Sequence, residues 1–183
     1  MGIASSDKNS RQAVARQLHA WAVAGSRQSD LYILLGVADT VAGRFEMLLH
    51  VCLLIRRLRR AGPVGVDLGQ ALFDTFVSDL DGALREMGVG DLAVPKQMRA
   101  MTKMFYGRAE ALGIALSAAS PEGALQDLFV RTVFQDHSRI HAQALAAYAI
   151  RLEQRLARGR DSDLLEGRVD RSTALVSDIN PIE

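Results

Sequence analysis

The chain has 183 residues and a mass of 19.9 kDa, the size of one domain with one core, so it needs no metal or disulfide staple to fold. A single cysteine, Cys52, excludes an intramolecular disulfide and argues against a Cys-based zinc site, and 49% hydrophobic with 23% charged residues excludes disorder along the whole chain. Lys+Arg 22 against Asp+Glu 21 leaves a net charge of +1, so binding to nucleic acid or an anionic membrane has to come from a local patch, and 5% aromatics disfavour a base-stacking surface.

From the N-terminus, residues 9–29 hold Arg11, Arg16 and Arg27 and no acid. They fit a first amphipathic helix over 12–24 better than a transit peptide, with Val14, Leu18, Trp21 and Ala22 on one side. Met1-Gly2 with Ser6 matches only the loose myristoylation pattern, and no secretory layout is present. That absence, with the lone thiol, points to a reducing compartment.

A second helix is expected from Asp39-Thr40, as caps, to about residue 60. Its middle, 45–55, is apolar nearly all round, which marks a central helix, and Gly62-Pro63 stops it. The stretch 47–55 is half the length a bilayer span needs, with Glu46 and Arg56 bracketing it.

A third helix opens with Asp67 as cap and Gln70 three residues on, and ends at Met87 with Gly88 in the left-handed conformation. Phe73, Phe76, Leu80, Leu84 and Met87 form its expected buried stripe, opposite Asp74, Ser78, Asp81 and Arg85. Pro95 fits the first turn of a fourth helix running to about 117, and Ser120-Pro121 starts a fifth. A sixth covers 138–158, after a break near Asp136 that no Gly or Pro enforces. The expected class is all-α: one helical domain over 1–160 and a mobile or loosely docked tail over 161–183.

Few constellations offer chemistry. His137 and His141, four apart, have the spacing of a two-histidine metal site, but no further ligand accompanies them. Glu46 and His50 share that spacing and read as an intrahelical pair, and Cys52 reads as an inert core thiol. Gly88-Val89-Gly90 follows no strand, so it is a turn and not a phosphate loop. Arg56, Arg57, Arg59 and Arg60 form the one dense charge cluster. A helix dipole and its free carbonyls need one or two cations, which leaves the others for an anion, RNA or lipid. Met98, Met101 and Phe105 trace a stripe continuing to Leu112 and Leu116. It is either plain core or an adaptable surface, because thioether side chains repack around different shapes. Gly107 inside this helix calls for a close approach or a bend.

Several segments together resemble one family. They are Leu35-Gly-Val-Ala-Asp-Thr-Val-Ala-Gly-Arg-Phe-Glu-Met-Leu-Leu-His50, Leu72-Phe-Asp-Thr-Phe-Val-Ser-Asp-Leu-Asp81, Leu84-Arg-Glu-Met-Gly-Val-Gly-Asp-Leu92, Val94-Pro-Lys96 and Phe105-Tyr-Gly-Arg108. They resemble the ubiquinol-cytochrome c chaperone family in its bacterial form over about 36–158, with Leu145-Ala-Ala-Tyr148 as a weaker echo and Glu46 where Asp is more usual. The resemblance implies a non-enzymatic assembly factor of respiratory complex III, without cofactor or metal, that holds newly made cytochrome b. Mitochondrial relatives act with a small partner chaperone and contact the ribosome, which makes both candidate further partners here although the resemblance does not extend either to a bacterial member, and no DNA is expected. The location implied is cytoplasmic, peripheral at the inner membrane at most, or the mitochondrial matrix in a eukaryote.

The expected client or partner surface joins the third and fourth helices. Met98, Met101, Phe105 and Tyr106 supply apolar area, Asp74, Asp79 and Asp81 border it, and Arg85, Glu86, Asp91, Lys96 and Arg108 are partner contacts or a network fixing the hairpin. Two other readings stand beside it: a small helical metal protein or enzyme centred on His137 and His141, and a ribosome- or RNA-binding module using Arg56, Arg57, Arg59 and Arg60.

Overall fold

A computed structural model describes residues 3–40, 43, 46, 48–135 and 137–169, and all regular structure among them is helical. The helices are α1 (Ile3–Ser26), α2 (Ser29–Ile33), α3 (Leu49–Arg59), α4 (Gly62–Glu86), α5 (Val94–Leu116), α6 (Pro121–Thr132), α7 (Arg139–Arg158) and α8 (Asp161–Leu165).

The all-round apolar sequence of α3 makes it the centre. Leu49, Val51, Cys52, Leu53, Leu54 and Leu58 are all buried, and α1, α4, α5, α7 and α8 surround the helix. Antiparallel α6 and α7 close one side, with Leu125, Leu128, Leu145 and Leu152 in the same core. Asp136, the expected break between them, lies outside the described residues, as do Met47 and Phe45 of the second expected helix.

Proline and glycine set the boundaries, with one difference from expectation. α4 begins at Gly62 and not at Asp67: Gly62 adopts φ +80°, and Pro63 then occupies the first turn, where its missing N–H costs nothing. The chain reverses within two residues of α3. Gly65 permits this, because a Cβ there would overlap the Leu58 carbonyl oxygen. At the far end of α4, Gly88 (φ +80°) completes a Schellman motif: Val89 N–H donates to Leu84 O and Gly88 N–H to Arg85 O, both at 3.0 Å.

The buried line of α4 is also rotated from expectation. Gly65, Leu68, Gly69, Leu72 and Thr75 are buried, as is Leu84 of the expected stripe, whereas Phe73, Phe76 and Leu80 are half-buried and Met87 is 59% exposed. α4 packs against both α1 and α3, so one stripe cannot serve both neighbours, and the phenylalanines turn to α5, Phe76 also meeting His19 of α1.

Two short helices escaped the sequence reading. α2 lacks a full amphipathic period. α8 falls in the expected tail but is anchored by buried Leu164 and by Arg57. The buried Arg57 guanidinium donates to the carbonyls of Leu156 and Gly159, at 2.9 and 2.8 Å, and to Asp161, closing the C-terminal end of α7.

Candidate functional site: a groove between α3, α4 and α5

A groove of about 990 Å³ opens between the end of α3, the first half of α4 and the second half of α5. Its walls include Val66, Tyr106 and Ile114, which are 49%, 51% and 67% exposed, with Ile55, Phe73 and Phe105 deeper. An aromatic cluster sets this wall: Phe73 lies 5.0 Å from Phe105 and 5.1 Å from Tyr106, and Phe76 lies 5.2 Å from Phe105. Large apolar side chains left open to water in a concave surface are the chemistry of a site for an apolar ligand or segment.

One side of the groove is cationic. Arg56, Arg59 and Arg60 line it, whereas Arg57 points the other way into α7 and α8. Helical geometry divides the cluster, because neighbouring positions differ by about 100°. Arg56 donates to Ser117 Oγ at 3.2 Å, and its buried Nε, without a hydrogen bond, lies 3.7 Å from the Glu153 carboxylate. Arg60 reaches Glu153 at 3.2 Å, while the exposed Arg59 side chain has no partner among the described residues. Asp67 and Glu110 are the acids of the lining, and Asp67 faces Arg11 at 3.4 Å.

The residues singled out from the sequence fall into separate groups. Phe105 is buried, Tyr106 exposed, and Met98 and Met101 half-buried. Asp74, held by Gln70 at 2.8 Å, lies one turn from the groove. Asp79 turns to α1, where its carboxylate is 3.2 Å from His19 Nδ1. Arg85 bridges Asp81, at 2.7 Å, and Asp91, which ties the end of α4 to the following turn. Glu86 and Lys96 are exposed without a side-chain partner among the described residues. Arg108 forms a two-pronged ion pair with Glu46, at 2.9 Å on each prong, so its guanidinium binds α5 to the segment before α3.

The buried polar groups, among them Cys52 in the groove lining, are structural in character. His50 Nε2 and Tyr148 Oη are 2.7 Å apart in the core, and burial pushes the tyrosine hydroxyl pKa up. Burial, with Glu46 nearby, likewise pushes the Cys52 thiol up, away from the reactive thiolate. The two-histidine arrangement does not form on one helix face, because Ser138 caps α7 and leaves His137 outside it. His141 Nδ1 lies 2.7 Å from Ser138 Oγ and its ring stacks on Phe134. No group of three or more metal-ligating side chains occurs among the described residues.

Sequence reading missed Val66 and Ile114. Their signal was present: Ile114 sits between the buried Leu112 and Ala115, a large apolar residue off the buried stripe.

Comparison with known proteins bears on this geometry. The model of the ubiquinol-cytochrome C chaperone family matches residues 34–173. A solved structure described as the Cbp3 homolog from Brucella abortus superposes with a TM-score of 0.84 at 33% identity, covering 96% of this chain and 97% of that one. No curated protein matches. Similarity over nearly the full length of both chains, together with a family match from just after α2 to beyond α8, shows that the chain belongs to the ubiquinol-cytochrome c chaperone family.

Proposed function

We propose that this chaperone acts without catalysis and holds an apolar segment of newly made cytochrome b in the groove between α3, α4 and α5. The observation that carries the reading is the exposure of Val66, Tyr106 and Ile114 around one concavity in a chain whose other large apolar side chains mostly fill a common core. Phe105 fixes the wall from below. Asp74 and Asp81, seven apart on α4, offer acidic partners to basic loops of the client, Asp81 by exchanging its ion pair with Arg85.

The test is affinity purification from the native cell in mild detergent, with Tyr106→Glu and Ile114→Glu variants whose circular dichroism matches the parent. A charge inside the seat is expected to lower co-purified cytochrome b about tenfold or more. Asp74→Lys with Asp81→Lys should weaken capture less. Undiminished capture by the two groove variants overturns the proposal.

A further inference from the structure

A second surface lies beside the groove, at the turn joining α4 and α5. Leu92 is 99% exposed there and Met87, at the end of α4, is 59% exposed. One turn on, Lys96, Arg99 and Lys103 follow at spacings of three and four, which places them on one line of α5, and all three are exposed. None of their side chains has a partner among the described residues. The acids nearby do not cancel them: Asp81 and Asp91 are held by Arg85, leaving Glu86 at the turn and Glu110 two turns beyond Lys103.

We infer that this corner of the α4–α5 hairpin docks on an anionic lipid surface, with Leu92 and Met87 in the headgroup boundary and Lys96, Arg99 and Lys103 among the phosphates. A projecting apolar turn needs a pocket in any protein partner, whereas a fluid bilayer yields to it. The row of cations begins one helical turn behind Leu92 and runs two turns along α5, so α5 lying along the surface sets all three among the headgroups. An RNA partner explains the cations but leaves Leu92 without a role. Three cations and a single leucine give reversible attachment, suited to a protein that no described helix anchors: none is long and apolar enough to cross a membrane.

The inference is independent of the client groove, and its test uses protein-free vesicles. The full chain is floated with phosphatidylcholine vesicles, with and without roughly one third phosphatidylglycerol, at moderate salt. Binding is expected only to the anionic vesicles. Each cation contributes about fivefold, so K96Q/R99Q/K103Q is expected to lose about 100-fold in partition coefficient. Leu92→Ser is expected to lose about tenfold while leaving the charge intact. Ile140→Ser, at an exposed apolar residue of α7 that belongs to neither surface, should bind as the parent does. Equal binding to both vesicle types, a triple variant that floats like the parent, or retention of a short RNA without vesicle binding overturns the inference.

Discussion

His19 shows how one side chain links the fold to solution conditions. It is buried on α1, with Phe76 at 6.4 Å and the exposed Asp79 carboxylate as counter-charge. Burial lowers its pKa from the usual 6.5, and Asp79 opposes that shift without reversing it. On acidification the unfolded chain therefore takes up this proton before the folded one does. The stability contribution is full above about pH 6.5 and declines as the pH falls below it. Urea unfolding across pH 5 to 8 should show this decline, and His19→Asn should flatten it. An identical slope in the variant would assign the acid sensitivity to another group.

At the scale of elements, glycines separate two kinds of helix position. Gly65 is required where α4 turns back beside the Leu58 carbonyl, and backbone cannot move aside as a side-chain end can. Gly65→Ala is expected to cost about 2–4 kcal/mol. Gly107 in α5 is exposed with nothing within 4 Å of an added Cβ, so the close approach anticipated from the sequence is absent. Gly107→Ala should stabilise by about 0.5–1 kcal/mol, through lower unfolded-chain entropy and better helix propensity. Thermal melts of the pair should move in opposite directions. A destabilised Gly107→Ala would mean that this part of α5 is not a regular exposed helix.

At the scale of the whole molecule, residues from Ala15 on α1 to Leu164 on α8 contribute to one core, with α3 at its centre. Equilibrium unfolding is therefore expected to be a single cooperative transition. Fluorescence of Trp21, the one tryptophan, should coincide with helix loss by circular dichroism. Early loss of the Trp21 signal would show α1 detaching as a separate unit. Helix class, the central position of α3, the proline starts of α5 and α6 and the Gly88 stop were legible because each rests on local periodicity or backbone chemistry. The family, too, was legible in contiguous residues such as Leu84 to Leu92.

The tertiary structure decided which members of each cluster act together. Four arginines adjacent in sequence divide into three that line a groove and one that closes α7, because the faces of α3 meet different neighbours. Asp74, Asp79 and Asp81, read as one border, diverge for the same reason: Asp79 meets α1, while Asp81 meets Arg85. Arg108 lies beside Tyr106 in sequence yet serves Glu46, 62 positions away. Sequence by itself determined the helical class, the longer helices, the Gly88 stop and the family. The groove arises only when α3, α4 and α5 converge, since contacts between residues far apart in the chain leave no periodic trace in it.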